Sequence, residues 1–85
     1  MKIKDKERSL SDIGFDEGYR IVSVGLTDRA RQRLGELGFL SGGRVVCLGK
    51  SPLGDPRAYL VMGCVIALRR VDAEKIRVIP EVTRE

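Results

Sequence analysis

A turn between two apolar runs constrains the fold of this chain most. Residues 51–56 read SPLGDP, and apolar runs lie on either side of them at 45–48 and 58–62. Pro52 fixes φ at a turn corner, and Gly54 can adopt a positive φ. Two apolar runs joined by such a turn are typical of a β-hairpin. The sequence therefore predicts a hairpin with a stiff tip at residues 51–56, and tips of this kind often contact partners.

The size of the chain limits it to one small domain. A chain of 85 residues buries only about 60% of its unfolded surface, so we expect a single modest core. The 16 basic and 12 acidic side chains leave a net charge of +4. This balance suggests an acidic partner or surface but argues against a dedicated nucleic-acid binder. The four aromatic residues, none of them tryptophan, also argue against a stacking platform for single strands.

The compartment follows from what the sequence does not contain. No signal peptide and no long apolar stretch are evident, so we expect a cytoplasmic protein without a membrane span. Cys47 and Cys64 both lie inside apolar runs. We therefore expect two reduced, buried thiols and no disulfide.

The local patterns predict five short strands and one main helix. Thr27 is a favourable N-cap, Asp28 places negative charge at the helix start, and Gly38 suits the left-handed position after the helix end. A short helical turn is expected at 72–75, capped by Asp72. The predicted strands are 19–24, 44–49, 57–63, 64–69 and 76–79.

Five short strands this close in sequence favour a closed barrel, since closure leaves no long exposed edge. The prediction is a mainly β fold, a small SH3-like barrel of about five strands with one inserted α-helix, which suits the short chain better than an OB-like barrel. The domain is expected at 10–80, between a flexible charged tail at 1–9 and a C-terminal tail at 81–85. The predicted core includes Leu34, Leu37, Val61 and Leu68.

Motifs in the second half of the chain resemble a known family. A helix ends in Leu-Gly at 37–38, a glycine turn follows at 42–43, and PLGDP at 52–56 precedes the strand IALRR at 66–70. At this spacing the motifs resemble FeoA, a family of small cytoplasmic proteins of bacterial ferrous iron uptake. Ser41 departs from the family pattern, which often has proline before the turn glycine, but the glycine itself is kept.

The resemblance implies a fold and a partner. It implies an SH3-like barrel carrying one extra helix, and a role with the membrane GTPase transporter FeoB. The barrel also resembles the C-terminal domain of iron-dependent repressors of the diphtheria-toxin-repressor type. The sequence contains no helix-turn-helix pattern, so we expect no binding of nucleic acid by this chain.

Residues for metal binding and catalysis are scarce. The chain has no histidine, and its two cysteines form no CxxC, whereas a zinc site needs three or four such ligands. Asp12, Asp16 and Glu17 offer only a weak, transient site for a divalent cation. The serines lack a histidine base, and there is no Walker-type loop. We therefore expect no resident cofactor and no catalysis, with any GTP hydrolysis belonging to the partner.

Two further surfaces are candidates for contact. Arg29 and Arg33 lie on the solvent side of the predicted helix, where they suit an acidic protein surface or an anionic membrane leaflet. Period-two alternation also places seven apolar residues on the outside of the barrel, and an apolar patch of this size marks an interface unless the helix or residues 10–15 cover it. These seven are Val46, Leu48, Ala58, Leu60, Met62, Val65 and Ala67, while Val45, Cys47, Tyr59, Val61, Cys64, Ile66 and Leu68 face inward.

We interpret the chain as a non-enzymatic adaptor that binds and regulates a FeoB-like transporter. Leu53 and Asp55 are expected to matter for binding more than for stability. A homo-oligomer formed through the outer apolar residues stays open, and so do a transition-metal-binding domain and a regulatory barrel related to the repressors. The candidate contact residues are Pro52, Leu53, Gly54, Asp55 and Pro56 of the tip, Leu48, Leu60 and Met62 of the outer wall, and Arg29 and Arg33 of the helix.

Overall fold

The computed structural model describes residues 7–81, which form an antiparallel β-sheet with two short helices. The predicted mainly β fold with one inserted main helix is confirmed. All five predicted strands are present within one or two residues of their expected bounds, and a short N-terminal strand is added to them. The elements are β1 (Arg8–Ser9), a 3₁₀ turn (Leu10–Asp12), β2 (Gly18–Val24), α1 (Asp28–Glu36), β3 (Arg44–Lys50), β4 (Arg57–Val61), β5 (Cys64–Leu68), α2 (Arg70–Ala73) and β6 (Ile76–Pro80).

The strands follow the order β1-β6-β2-β3-β4-β5 across the sheet, and every neighbouring pair is antiparallel. Helix α1 lies in the connection between β2 and β3, and α2 lies between β5 and β6. A two-residue turn joins β4 to β5, and both of its residues, Met62 and Gly63, have positive φ. Positive φ at both central residues is the geometry that matches the right-handed twist of a tight hairpin.

The segment after β1 links the β1 edge of the sheet to strands β3 and β4. Leu10 and Ile13 are buried in the core, and residues beyond them reach the middle strands. Arg57 Nη1 donates a hydrogen bond to the carbonyl oxygen of Ile13 at 2.9 Å, and the Asp16 amide donates to the Cys47 carbonyl at 2.8 Å. Because β1 pairs with β6 while these bonds reach β3 and β4, the segment closes the barrel from outside the sheet.

The core consists of inward-facing side chains from every strand except β1, together with Leu10, Ile13, Phe39 and Ala73 from the turns, connections and α2. Alternation along the strands explains this, since successive residues point to opposite faces. Burying a side chain of this size stabilises the fold by about 1.5–3 kcal/mol relative to leaving it exposed. The largest fully buried side chains are Tyr59, Phe39, Leu10, Ile13, Ile21, Ile76, Val45, Val61, Val78 and Cys47.

The ordered domain begins earlier than predicted. Arg8 and Ser9, expected in a flexible tail at 1–9, pair with β6, and Ser9 is buried. The charged composition of this segment could not show the pairing, because a strand at a sheet edge is held by its backbone groups. Glu81, expected in the C-terminal tail, accepts hydrogen bonds from Arg44 Nε at 2.8 and 3.0 Å. The remaining tail residues, 1–6 and 82–85, lie outside the described residues.

The start and end of α1 agree with the prediction, but its apolar face does not. Thr27 Oγ1 accepts a hydrogen bond from the Ala30 amide at 3.4 Å, and Gly38 has a φ of +112°. The prediction of Leu37 as a core residue is wrong: Leu37 is the C-cap residue and is 41% exposed, because the helix ends one residue before it. Leu34 packs against the core but is only partly buried.

Gly35 and Asp72 concern the packing and the capping of the two helices. A Cβ on Gly35 would lie 3.0 Å from the Leu40 side chain, so the glycine leaves room for Leu40 against α1. Asp72 lies in the first turn of α2 and does not cap it, since the N-cap residue is Arg69.

Leucine truncations test this description of the core. Leu68 is 6% exposed and Leu37 is 41% exposed. We expect Leu68→Ala to lower the free energy of unfolding by about 2–5 kcal/mol, because it leaves a cavity in the core. The same change at Leu37 is expected to cost under about 1 kcal/mol. Urea unfolding of both variants checks this, and equal losses would contradict the placement of Leu37 outside the core.

Candidate functional site

The tip is a closed turn between β3 and β4. The Gly54 amide donates to the Ser51 carbonyl at 2.8 Å, and Gly54 has the positive φ, +90°, that the sequence suggested. The Ser51 amide donates to the Pro56 carbonyl at 3.0 Å, and Ser51 Oγ donates to the Asp55 carbonyl at 2.7 Å. The peptide bond between Asp55 and Pro56 is cis. Ser51 thus holds both ends of the tip, and the expected stiff corner is present.

Two side chains of the tip have different surroundings. Leu53 is 94% exposed, which is the largest exposure of any large apolar residue among residues 7–81. Asp55 Oδ1 accepts a hydrogen bond from the backbone amide of Arg70 at 2.9 Å. Asp55 therefore ties the tip to the first residue of α2, so it has a structural contact in addition to the binding role that we expected for it.

A cavity of about 300 Å³ lies beside the tip, and we call it the tip pocket. Its cationic side chains are not among the contact residues predicted from the sequence. Lys50 ends β3, Arg57 begins β4 and Arg70 begins α2, so the folding of the hairpin onto α2 brings them together. The pocket is lined by Ser11, Lys50, Leu53, Gly54, Asp55, Arg57 and Arg70.

Tyr59, on β4, is fixed in place by burial. Tyr59 is fully buried, and its hydroxyl donates to the Leu10 carbonyl at 3.4 Å. Burial raises the pKa of Tyr59 to about 12, and the positive charge of Arg57 opposes that rise only in part. Tyr59 is therefore a neutral hydrogen-bond donor at physiological pH and serves the core.

Most of the predicted outward apolar residues do form a surface, which we call the outer wall: Leu48, Ala58, Leu60, Val65 and Ala67. The register places Leu60 opposite Val65 and Ala58 opposite Ala67, so side chains of β4 and β5 alternate on one face. Val65 is 64% exposed and Leu48 is 41% exposed. Neither α1 nor the N-terminal segment covers these two residues, which was the alternative that the sequence left open.

Three residues around the wall lie in positions that differ from the predicted ones. Val46, predicted to face outward, is buried, with only 9% of its surface exposed. Met62 is 79% exposed but lies in the turn after β4, against Gly38 at the end of α1. Cys64, predicted inward, is exposed because it directly follows that turn, at the end of the hairpin.

The outer wall and the tip are joined. The β3–β4 register slips between Cys47 and Gly49, so Leu48 is an extra residue in a β-bulge. A second, shallow cavity of about 400 Å³ is lined by Leu48, Pro56, Ala58 and Ala67 together with residues near the tip. Two of the three predicted contact surfaces are thus one continuous surface.

The third predicted surface is separate. Arg29 and Arg33 are exposed on α1, and neither forms an ion pair among residues 7–81, whereas Arg31 pairs with Asp28 at 2.6 Å. No hydrogen bond or ion pair links Arg29 or Arg33 to the tip within that part of the chain. Their role in binding stays a prediction.

Metal ligands do not converge in the part of the chain that the structure describes. No group of three or more Cys, Asp or Glu side chains is placed to hold an ion there. Cys47 is buried and Cys64 is exposed, and both are free thiols. Among the same residues, no helix is long and apolar enough to cross a membrane.

Comparison with known proteins decides the family. Residues 8–80 match the family described as the FeoA domain. The chain belongs to the FeoA family. The predicted resemblance is thereby confirmed, and the match starts at β1 and ends with β6.

One relative joins the FeoA domain to a transporter. The chain is 42% identical over 69 residues to a Porphyromonas gingivalis protein described as an Fe(2+) transport protein A/Fe(2+) transporter FeoB fusion protein. The match covers 81% of this chain but 8% of that protein, so this chain corresponds to a small part of the fusion.

Solved structures confirm the SH3-like fold class. The FeoA protein of Chlorobium tepidum superposes with a TM-score of 0.83 at 31% identity, covering 91% of this chain and 73% of that one. Stenotrophomonas maltophilia FeoA, described as complexed with zinc and as an SH3 domain protein, gives 0.71 at 31% identity, covering 82% and 87%. T. acidophilum IdeR gives 0.75 at 21% identity, covering 88% and 34%, and this likeness concerns the fold alone.

Substitutions at Asp55 test whether its hydrogen bond to Arg70 stabilises the tip. We expect Asp55→Ala to lower the free energy of unfolding by about 1 kcal/mol, because the Arg70 amide loses its acceptor. Asp55→Asn keeps a side-chain oxygen and is expected to lose less. Urea unfolding measures both changes. Equal stability of Asp55→Ala and the wild type would show that this hydrogen bond does not support the tip.

Proposed function

We propose that this FeoA domain is a non-enzymatic, cytoplasmic adaptor that binds a FeoB-type membrane GTPase transporter and regulates its uptake of ferrous iron. The observation that carries the proposal is the Porphyromonas gingivalis fusion, in which an FeoA sequence and an FeoB transporter share one polypeptide. Covalent linkage raises the effective concentration of one module at the other, which is useful for two modules that act together.

The contact surface in this proposal is the tip together with the outer wall. Leu53 projects from a turn that is already fixed by hydrogen bonds, so little conformational entropy is lost when it is buried by a partner. The adjoining wall supplies apolar area from the exposed Leu48 and Val65 and the partly exposed Leu60, and contiguous apolar surface of this kind usually marks an interface. Met62 extends the surface at the far end of β4, and Arg29 and Arg33 provide a separate positive face for an acidic region of the transporter.

Nucleotide turnover in this proposal belongs to the transporter. The chain has no histidine to activate a hydroxyl or thiol, and the buried Cys47 thiol is inaccessible to a substrate. The adaptor would therefore act by binding one conformational state of the GTPase domain more tightly than another. Such a difference in affinity shifts the conformation of the domain or the lifetime of the favoured state.

A second candidate function is weak binding of a transition metal. The Stenotrophomonas maltophilia FeoA structure is described as complexed with zinc, and this relative is 31% identical to the chain. Equilibrium dialysis against ferrous iron and zinc tests it. Saturable one-to-one binding at micromolar metal would favour a metal-delivering domain over an adaptor. A regulatory role like that of the repressors would instead be supported by capture of a DNA-binding partner.

The direct test is binding to the purified cytoplasmic GTPase domain of a FeoB-type transporter from the same genome. We expect saturable binding by isothermal titration calorimetry and a change in the GTP turnover of the partner. No binding to that domain in either nucleotide state would contradict the proposal.

Charged substitutions in the outer wall, at Leu60, and beside it, at Met62, locate the contact. We expect Leu60→Glu combined with Met62→Glu to abolish binding, because a carboxylate would be buried without a partner at the interface. The wall also offers a surface to a second copy of the chain, so sedimentation of wild type and variant reports any self-association. Thermal unfolding checks that the fold is kept.

Two single variants serve as controls for the wall experiment. Met62→Glu alone is the safer variant, since Met62 is 79% exposed and its replacement leaves the core intact. Val22→Glu, on β2 and 39% exposed, introduces the same charge outside the wall. Undiminished binding of a folded Met62→Glu and Leu60→Glu double variant, or equal weakening by Val22→Glu, would show that the wall is not the contact.

A further inference from the structure

The tip pocket contains more positive than negative charge. Among residues 7–81, its lining contains three cations, Lys50, Arg57 and Arg70, and one carboxylate, that of Asp55. Arg70 already pairs with Glu74, at 3.1 Å. Lys50 and Arg57 form no ion pair with a described residue, so both face the cavity with Asp55 as the one opposing charge of its described lining.

Arg57 is held in place before any ligand arrives. Its Nη1 donates to the Ile13 carbonyl at 2.9 Å and lies 3.8 Å from Cys47 Sγ. Its guanidinium lies 5.1 Å from the centroid of the Phe15 ring, within the range of a cation–π contact. These contacts engage one end of the guanidinium, which has five N–H donors in a planar fork. Arg57 is therefore a half-buried, pre-ordered donor for an anion in the pocket.

The shape and lining of the pocket favour a carboxylate on a peptide. Its volume of about 300 Å³ is small, and no aromatic side chain lines it, so it offers no surface on which a nucleotide base could stack. The net positive charge of the lining attracts an anion. Leu53 stands at the rim with 94% of its surface exposed, next to the cations. An acidic residue flanked by an apolar one matches this arrangement.

We propose that the tip pocket binds the carboxylate of an Asp or Glu side chain within a peptide segment of the partner, with Lys50 and Arg57 pairing the carboxylate and Leu53 packing on an adjacent apolar side chain. This proposal rests on the proposed function in one respect only, which is that the peptide segment is assigned to the transporter. The pocket explains why the tip must be stiff: the hydrogen bonds of Ser51 and Asp55 hold Leu53 beside the cations.

A peptide titration tests the ligand chemistry without the transporter. The full chain, labelled with ¹⁵N, is titrated with Ac-Leu-Glu-Leu-NH₂, with Ac-Leu-Gln-Leu-NH₂ and with inorganic phosphate. We expect saturable shifts at the amides of Lys50, Gly54, Arg57 and Arg70 with the Glu peptide, and at least about ten-fold weaker binding of the Gln peptide. Equal binding of the two peptides, absence of shifts at these amides, or tighter binding of phosphate at the same amides would each overturn the proposal.

A matched pair of lysine variants tests the pocket in the complex. Lys50→Met removes a pocket cation, and Lys75→Met removes an exposed cation in the turn after α2, outside the lining of the pocket. For the GTPase domain of the transporter, we expect Lys50→Met to weaken binding about ten-fold and to reduce its dependence on salt, since one charge pair is lost. Lys75→Met is expected to stay within about two-fold of wild type.

The outcomes of the two experiments separate the two proposals. If the transporter domain binds wild type and Lys50→Met equally, the pocket is not the contact and the proposed function stands. If the Glu peptide binds in the pocket but the transporter domain does not bind the chain, the pocket chemistry stands and the choice of partner is wrong.

Discussion

The closure of the barrel by the segment after β1 is the interaction on which the other features of this structure depend. Two hydrogen bonds from β4 hold the segment: Tyr59 hydroxyl to the Leu10 carbonyl, and Arg57 guanidinium to the Ile13 carbonyl. Leu10 and Ile13 are buried in the core. Without this closure Arg57 would lose the carbonyl that fixes its guanidinium beneath the tip.

The same contacts connect stability to binding. Arg57 belongs both to the closure and to the tip pocket, and Asp55 belongs both to the tip and to the start of α2. The β-bulge at Leu48 brings an apolar side chain of the outer wall next to Pro56 at the end of the tip. The surface proposed for the partner is therefore built on the most constrained part of the fold. A rigid surface of this kind loses little entropy on binding, as expected for an adaptor that presents a fixed shape.

Much of the fold could be predicted from the sequence because local signals and the global structure agree. Thr27, Gly38 and Gly54 each marked a boundary or a turn that the structure contains, and period-two alternation identified Val45, Tyr59 and Val61 as inward-facing. Alternation could not anticipate the extra residue at Leu48 or the exposed position of Cys64 after the turn. The helical pattern likewise could not show that α1 ends before Leu37. Strand β1 was missed because a charged sequence does not disclose the backbone pairing of an edge strand.

The candidate site was predictable only in part. The tip and the outer wall follow from turn residues and alternation, whereas the tip pocket depends on Lys50, Arg57 and Arg70 meeting across three elements, which no local pattern reports. Amide hydrogen exchange of the chain with and without the purified transporter GTPase domain tests directly whether the tip and the outer wall are the contact surface. We expect slower exchange at the tip, in β4 and in β5 when the domain is bound. Protection confined to β1, β2 and β6, with the tip and β5 unchanged, would contradict this contact surface.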